Sequence, residues 1–278
     1  MKLATARIEG STRAVRVEGD ALIDLGHADL GELLARPDWK NYAATTQGAS
    51  YPIEGTEFAT LISRPSKVVC VGLNYRNHIT EMGRDLPEHP TLFSKFSDTL
   101  IGATDDIMRP AETDSFDWEV ELAVVIGTTV RRASTKQAEE AIAGFTVLND
   151  ITCRDWQFRT REWLQGKNWD STTPVGPYLV TPDELPGGVR PKVDVSLSVD
   201  GAVMQSDNTG DLLFDPVYLV EYISTMIRLN PGDIIATGTP GGVGHARKPE
   251  VYLHGGEFVV AEIAGIGALA NHVRADAS

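Results

Sequence analysis

The sequence predicts a mixed α/β fold that is rich in β-strand, with a small β-rich N-terminal domain, residues 1–62, ahead of a larger domain, residues 63–278. Short apolar runs bounded by glycine, proline and polar turn residues recur along the chain, which is typical of strands. Runs with apolar residues at three- and four-residue spacing are fewer, so helices are the minority. The turn-rich QGASYPIEG and the proline of SRPSKVVCVG favour a boundary between the two parts.

Each element follows from its local pattern. The first domain opens with the strand-like segments LATARIEG, TRAVRVEG and ALIDL, and then HADLGELLA carries helical spacing. The strand candidates of the larger domain are KVVCVG, VELAVVIG, AGFTVLND, VDVSLSVDG, DIIATGT, FVVAEIAG and GALANHV. Its helical candidates are NHITEMG, TKQAEEAIA, RDWQFRTREWL and PVYLVEYISTMIRL, the last of which meets an Asn-Pro-Gly stop.

Composition narrows the class of protein. A formal net charge of -14 argues against a nucleic-acid partner, because phosphate binding needs clustered basic residues. The sequence contains no apolar run near the roughly 20 residues of a membrane span, and its N-terminus lacks the apolar core of a signal peptide. We therefore expect no membrane association and a cytoplasmic location. Two differently placed cysteines, Cys70 and Cys153, do not make a disulfide framework.

The most informative segment is DWEVELAVVIG, in which Glu119 and Glu121 stand one residue apart at the start of an apolar strand. The two-residue period of a strand places both carboxylates on one face. Two like charges there repel unless a cation lies between them, and carboxylate oxygens suit a hard divalent ion. The alternative is an edge strand with solvated acids.

A third carboxylate stands where another apolar strand ends. Asp150 follows FTVLN and can complete a three-carboxylate site with open positions for water and substrate. Asp155 competes for this place, but its position next to Trp156 is more typical of the start of a helix.

Two further patterns are catalytic candidates whose role depends on whether their side chains lie in a site or on the surface. His78 and Glu81 share a helical face, so the carboxylate can raise the basicity of the imidazole, although a surface pair is the commoner meaning of that spacing. Lys167, between two tryptophans, can hold a substrate carboxylate or an oxyanion, although such a lysine is more often exposed.

The glycine-rich IIATGTPGGVG lacks the Gly-Lys-Ser/Thr ending of a phosphate loop and does not match GxGxxG. Its glycines more plausibly let the backbone approach a ligand, with Thr237 or Thr239 offering a hydroxyl. No GxSxG serine-hydrolase motif occurs in the sequence.

Taken in order, these motifs resemble the fumarylacetoacetate hydrolase family: GLNYRNHITEMG, FSKF, DWEVELAVVIG, GFTVLNDITCRDWQ, GKNWDSTTPVGP, IIATGTPGGVG and EIAGIGALANHV. Their shared order over much of the chain makes the resemblance more specific than any one motif. It implies a fumarylacetoacetase C-terminal-like fold, a mixed β-sheet roll with flanking helices, which assembles as a homodimer.

The resemblance also implies roles for individual residues. It implies that Mg²⁺, or Mn²⁺, with Ca²⁺ as a crystallographic substitute, is held by Glu119, Glu121 and Asp150. It implies catalytic roles for the water-activating pair His78 and Glu81, on a segment that orders as a lid, and for Lys167. It further implies that Gln157 and Thr239 contact the substrate.

One departure bears on the substrate. Many members of this family carry a Ser/Thr-Phe pair after the lysine, whereas Asn168 and Trp169 stand here. If this turn lines the pocket, the bulk of Trp169 calls a substrate borrowed from the family into question.

The expected function is metal-dependent hydrolysis of a C–C bond in a small 1,3-diketo or acylpyruvate-type acid, through a metal-stabilised enolate. The alternative on the same site is an oxaloacetate-type decarboxylase or an oxo-diacid isomerase, and the sequence does not choose among these reactions. A non-catalytic ligand-binding relative is the alternative of another class, and the retained base argues against it.

Overall fold

Nineteen strands and seven helices lie in the residues that this computed structural model describes, 1–81, 83 and 85–276. The strands are β1 Lys2–Ile8, β2 Ser11–Glu18, β3 Ala21–Asp24, β4 Ser50–Pro52, β5 Glu57–Phe58, β6 Val68–Gly72, β7 Thr91–Lys95, β8 Leu100–Ile101, β9 Ile107–Arg109, β10 Phe116–Asp117, β11 Val120–Ile126, β12 Ile142–Asn149, β13 Thr152–Cys153, β14 Thr173–Val180, β15 Asp194–Val199, β16 Ala202–Asn208, β17 Ile234–Ala236, β18 Phe258–Ile263 and β19 Gly267–Ala275. The helices are α1 Leu30–Leu34, α2 Trp39–Thr45, α3 Arg76–Glu81, α4 Thr135–Ala141, α5 Arg154–Gln157, α6 Leu164–Lys167 and α7 Pro216–Met226.

The strands form two large sheets and a small one within the described residues. Ten strands of the first sheet follow the order β4-β3-β2-β1-β14-β12-β11-β17-β6-β7, with β5 on β1 and β8 on β14. The second has the order β16-β15-β18-β19-β9, and β10 pairs with β13. The predicted strand-rich α/β class is therefore confirmed.

The predicted N-terminal domain is joined to the rest through this sheet. Its first strand, β1, pairs antiparallel with β14, so that Leu3 lies opposite Leu179. The strands predicted in this part are all present, and helix α1 begins after Asp29, whose side chain accepts a hydrogen bond from the backbone of Glu32. The boundary at residue 62 stays a prediction.

The central strand β11 is buried on both faces. Leu122 and Val124 belong to one hydrophobic core, and the alternate residues Ala123 and Val125 belong to the other. Each such buried valine or leucine stabilises the fold by roughly 1.5–3 kcal/mol. The strand is thus held from two sides, and Glu121 continues the face of Ala123 by the two-residue period.

One predicted helix is shorter than expected. The segment RDWQFRTREWL, expected as one helix, forms α5 at its start, then breaks, and α6 begins at its last residue. They pack so closely that a Cβ on Gly166 would lie 2.5 Å from the backbone nitrogen of Gln157. A helix continued from Gln157 would place Gly166 about 14 Å away along its axis, so the break is what brings α6 back against Gln157.

Candidate metal centre and substrate pocket

The pairing of β11 with β12 assembles the three predicted carboxylates. Val120 lies opposite Asn149 in this antiparallel pair, and the backbone NH of Asp150 donates to the carbonyl of Glu119 at 2.8 Å. One oxygen from each of Glu119, Glu121 and Asp150 lies within 4.8 Å of the others, and all three residues are buried. Glu119 directly precedes the strand instead of starting it.

Two buried lysines hold the carboxylates. Lys167 Nζ lies 2.7 Å from both Glu119 Oε2 and Asp150 Oδ2. Lys95, at the end of β7, lies 2.7 Å from the other oxygen of Asp150 and donates to the carbonyl of Ile151 at 3.0 Å. The expectation that a lysine at position 167 is more often exposed is thus wrong here: its side chain is 2% exposed.

Arg154 and Asp117 extend this group. Arg154 Nη1 lies 2.7 Å from Glu119 Oε1, and Arg154 Nε donates to Asp117 Oδ2 at 2.8 Å. Asp117 also accepts from the backbone NH groups of Trp118, Gly244 and His245 at 2.9, 2.7 and 3.0 Å. Asp117 therefore ties the carboxylate cluster to a turn after β17.

The charges of this group do not cancel. Four carboxylates, of Asp117, Glu119, Glu121 and Asp150, face three cations, of Lys95, Arg154 and Lys167. The difference, four minus three, is one negative charge. Glu121 accepts a hydrogen bond from the backbone of Gly238 at 2.7 Å, a neutral donor.

The pKa directions reflect this imbalance. Burial, and then the charges of Asp150 and Glu119, raise the pKa of Glu121 well above its usual value. Burial also acts upward on Asp150, but Lys167 and Lys95 overcome it and lower its pKa. Burial acts to lower the pKa of Lys167, yet Asp150 and Glu119 raise it to about 12, so this lysine stays charged at neutral pH.

The cluster fits a hard divalent cation. Its donors are all carboxylate oxygens, which Mg²⁺, Mn²⁺ and Ca²⁺ prefer. Oxygens on opposite sides of such an ion lie about 4–5 Å apart, which matches the 4.8 Å spread of the three carboxylates. The net negative charge and the high pKa of Glu121 indicate the same need for added positive charge.

A pocket of about 210 Å³ opens onto this cluster. Its lining is charged or polar around the cluster and largely apolar elsewhere. The lining residues are Val71, Gly72, Leu73, Phe93, Glu119, Glu121, Arg154, Gln157, Phe158, Trp163, Lys167, Thr239, Val243, His245 and Ala246.

An aromatic wall narrows this pocket. Phe93 and Trp163 meet edge to face with their ring centroids 5.4 Å apart, and Lys167 Nζ lies 4.9 Å from the Phe93 ring. A Cβ on Gly72 would come within 2.4 Å of the Trp163 ring. Only glycine at position 72 therefore leaves room for the Trp163 ring in this position.

The two predicted substrate contacts differ in what they can offer. Gln157 accepts from Arg154 Nη1 through Oε1 at 3.0 Å, so its amide NH₂ can donate to a ligand. Thr239 donates to the carbonyl of Val120 at 3.0 Å and accepts from Gln205 at 2.7 Å. Its hydroxyl hydrogen is already used, so it can meet a ligand only as an acceptor.

The family model for the C-terminal domain of fumarylacetoacetate (FAA) hydrolase matches residues 67–274. The chain belongs to the fumarylacetoacetate hydrolase family. It is 42% identical over 223 residues to the protein named oxaloacetate tautomerase Fahd2a, mitochondrial, of Rattus norvegicus. The aligned region covers 80% of this chain and 71% of that relative.

Two solved structures of the family share the whole fold. The fumarylacetoacetate hydrolase of Exiguobacterium antarcticum is 33% identical with a TM-score of 0.88, covering 99% of this chain and 100% of that one. A 5-carboxymethyl-2-hydroxymuconate delta-isomerase of Mycobacterium smegmatis is 32% identical with a TM-score of 0.82, covering 100% of both chains. The family and fold expected from the sequence motifs are confirmed.

The comparisons bear on two other expectations. The tautomerase and the isomerase carry names that denote isomerisation, so the expected C–C hydrolase has less support than the isomerase that stood as its alternative. The name of the rat relative places it in mitochondria, which leaves the cytoplasmic location of this chain a prediction. No helix in the described part of the chain is long and apolar enough to cross a membrane.

The predicted pair His78 and Glu81 belongs to helix α3, Arg76–Glu81, but both side chains lie outside the residues that the structure describes, so the pairing stays a prediction. The turn at Asn168 and Trp169 does not line the pocket. Trp169 instead packs edge to face on Trp156, with ring centroids 5.0 Å apart. The condition under which the bulk of Trp169 would bear on the substrate is therefore not met in this pocket.

Sequence reasoning gave no role to four residues of the site: Asp117, Lys95, Arg154 and His245. Asp117 carries the same signal as the glutamates, since DWEVE places a carboxylate at every second position. Arg154 belongs to the family motif GFTVLNDITCRDWQ and Lys95 to the motif FSKF, but neither motif signals that its basic residue is buried. His245 directly follows the glycine-rich IIATGTPGGVG, but nothing in the sequence shows that its side chain lines the pocket.

Proposed function

We propose that this protein is a divalent-metal-dependent tautomerase of small 2-oxo dicarboxylic acids, with oxaloacetate as the representative substrate. The observation that carries the proposal is the buried trio Glu119, Glu121 and Asp150 with Lys167 bound to two of its members at 2.7 Å. The 42% identity to an oxaloacetate tautomerase supports the reaction class.

Charge favours an anionic ligand. When all seven charged groups around the cluster are ionised, including Glu121, they sum to minus one, and a bound divalent ion would bring the total charge of the site to plus one. A dicarboxylate entering the pocket would then be attracted by the site as a whole. Mg²⁺ is our first candidate for the ion and Mn²⁺ the second, because both take carboxylate oxygens.

Two cationic side chains can hold the substrate from the protein side. Lys167 lines the pocket and stays protonated, so it acts as a donor to a substrate oxygen and not as a base. Arg154 Nη2 is buried and, among the described residues, has no hydrogen-bond partner. A substrate carboxylate would satisfy it, which removes the cost of about 1–3 kcal/mol for an unmade buried hydrogen bond.

Tautomerisation moves one proton. The enol loses the hydrogen of its C2 hydroxyl, C3 gains a proton, and neither water nor a second substrate is consumed. The divalent ion, when bound, supplies fixed positive charge that stabilises the enolate-like charge distribution between the two forms. Lys167 and Arg154 add donors beside that charge.

The proton that C3 gains in this direction, and loses in the reverse one, needs an acid–base group, and the pair of His78 and Glu81 is our candidate. A histidine next to a carboxylate is suited to take and return a proton near neutral pH. Helix α3 begins four residues after Gly72, which lines the pocket, so the pair belongs to a segment adjacent to the site.

Hydrolysis of an acylpyruvate is the second candidate. The same base could activate water, and a fumarylacetoacetate hydrolase shares the fold over the whole chain. The small pocket, about 210 Å³, suits a four-carbon acid better than an extended diketo acid. We also propose that the protein is a homodimer, which analytical ultracentrifugation would test.

The deciding experiment follows three reactions of metal-stripped protein, with and without Mg²⁺ or Mn²⁺. Loss of enol absorbance from freshly dissolved enol-oxaloacetate reports tautomerisation, pyruvate from oxaloacetate reports decarboxylation, and pyruvate from acetylpyruvate reports hydrolysis. We expect metal-dependent tautomerisation to be the fastest, and Glu119→Gln, which alters a proposed ligand, to abolish it. Faster cleavage of acetylpyruvate would replace this proposal with the hydrolase.

A further inference from the structure

His245 lines the pocket but does not belong to the charged group around the metal centre. It stands in a short 3₁₀ helix, Gly244–Ala246, after the glycine-rich turn. Among the described lining residues it is the one ionisable side chain outside the group of Glu119, Glu121, Arg154 and Lys167. Its neighbours in the lining include Val243 and the ring of Phe158, whose centroid lies 5.2 Å from that of His245.

The backbone of His245 is fixed relative to the metal centre. Its NH and that of Gly244 donate to the two oxygens of Asp117 at 3.0 and 2.7 Å, and Asp117 pairs with Arg154. A Cβ on Gly244 would lie 1.9 Å from the carbonyl oxygen of Val251, so the turn is seated tightly. The position of His245 therefore depends on the same arginine that binds Glu119.

A chain of hydrogen bonds sets the direction of the imidazole ring. Tyr252 donates its hydroxyl hydrogen to Glu250 Oε2 at 2.8 Å, and the same hydroxyl oxygen lies 2.8 Å from His245 Nδ1. Because a phenol has one hydrogen, Nδ1 must be the donor of the second bond. Burial, and then the bond to Glu250, raise the pKa of Tyr252 to about 12, so the phenol keeps that hydrogen at neutral pH.

This arrangement leaves Nε2 as the ring nitrogen that can meet a ligand. With its hydrogen on Nδ1, a neutral ring offers only a lone pair at Nε2, so it is the imidazolium that donates from Nε2 to an anion. Glu250 Oε1, 3.5 Å from Nδ1, faces the other nitrogen of that cation. Such a ring would be held between two carboxylates, that of Glu250 and that of the ligand. The ring side chain is 39% exposed, so it can reach an entering anion.

We propose that His245 binds the carboxylate at the end of the substrate remote from the metal centre, and so selects dicarboxylic over monocarboxylic 2-oxo acids. The metal centre, with Lys167 and Arg154, takes the oxo-acid end, and the imidazolium of His245, which lies against Phe158 in the pocket lining, offers a donor to the other end. The inference rests on the proposed function for the identity of the oxo-acid end. Tyr252 is a positioning residue, because it acts through His245.

The first test measures binding without turnover. Malate and lactate share a 2-hydroxy acid group, and only malate has the remote carboxylate. Calorimetry on the Mg²⁺-loaded protein should show tighter binding of malate, and His245→Phe should remove this preference by weakening malate about 10- to 100-fold, the range for a lost hydrogen bond to a charged group. Lactate should be unaffected. No preference in the natural protein, or one that survives in His245→Phe, would overturn the inference.

The second test uses kinetics on enol-oxaloacetate and on its 4-methyl ester, in which the remote carboxylate is masked. His245→Phe should raise KM for the diacid by a similar factor with kcat little changed, and leave the ester unaffected. Tyr252→Phe should produce a smaller rise, also confined to the diacid. His272→Phe, a matched exposed histidine in β19, should change neither.

The outcomes separate the two proposals. An equal rise in KM for the diacid and the ester in His245→Phe would show a general disturbance of the pocket and overturn the role of His245. If the natural protein does not tautomerise oxaloacetate but still shows a His245-dependent preference for malate, the proposed reaction fails and the carboxylate subsite stands.

Discussion

Replacement of Asp117 by asparagine, which exchanges one carboxylate oxygen for an NH₂ group, should strongly destabilise the fold of this protein. Its carboxylate is fully buried and receives four hydrogen bonds, from Arg154 Nε and from the backbone of Trp118, Gly244 and His245. The amide of asparagine can place its oxygen where Oδ1 accepts from Trp118 and Gly244. Its NH₂ must then face the two donors that Oδ2 served.

The magnitude follows from those two lost bonds. Each buried donor left without an acceptor costs about 1–3 kcal/mol, and Arg154 is charged, so we expect Asp117→Asn to lower the free energy of unfolding by about 2–6 kcal/mol. That is a large part of the roughly 5–15 kcal/mol typical of a folded domain. The turn that carries His245 should loosen at the same time.

Urea unfolding followed by tryptophan fluorescence measures this loss, with an unchanged slope as the condition for comparing midpoints. Asp114→Asn is the control from the same segment, because that side chain is fully exposed and, within the described part of the chain, forms only a surface ion pair with Arg109 at 3.4 Å. We expect less than about 1 kcal/mol there. Equal losses in the two variants would refute the claim that Asp117 anchors Arg154 and the turn.

Three further outcomes follow from the site. Glu119→Gln should weaken Mg²⁺ binding at least tenfold in calorimetry, and an unchanged affinity would remove Glu119 from the proposed ligands. Lys167→Met leaves buried carboxylates uncompensated and should cost about 3–5 kcal/mol in urea unfolding, partly recovered by Mg²⁺, whereas Lys192→Met at an exposed position should cost under about 0.5 kcal/mol; similar losses would contradict the buried ion pairs. Burial raises the pKa of Cys153 to about 12 and that of Cys70 well above its usual value, so neither should react with iodoacetamide at pH 8 until the protein unfolds. The thiols have a lower pKa in the unfolded chain than in the folded one, so their contribution to the free energy of unfolding is full below about pH 8.5 and is lost as the pH rises toward the folded pKa values. Rapid labelling of the native protein would contradict the burial of both cysteines.

The local parts of this structure could be predicted from the sequence. The two-residue period of DWEVELAVVIG placed Glu119 and Glu121 on one face, and the end of the next apolar strand placed Asp150 near them, because these relations depend on neighbouring residues alone. The strand assignments held for the same reason. Helix α2 and strands such as β7, β14 and β16 were missed.

Long-range relations could not be predicted in this way. Lys167 is buried because its ammonium meets Glu119 and Asp150, which stand 48 and 17 residues away, and no local spacing reports such a contact. The pairing of β1 with β14 spans most of the chain. The roles of Arg154 and Lys95 could not be predicted for the same reason, since only the assembled sheet brings together the carboxylates that compensate their buried charges.

Asp117 holds the turn after β17 through the backbone amides of Gly244 and His245 and not through their side chains. The identity of residue 245 can therefore change without loosening the turn, whereas residue 244 cannot, since any side chain there would strike Val251. Position 245 can therefore vary during evolution, whereas position 244 must remain glycine. A library confined to position 245 should thus alter substrate preference in a protein that still folds and still binds its metal.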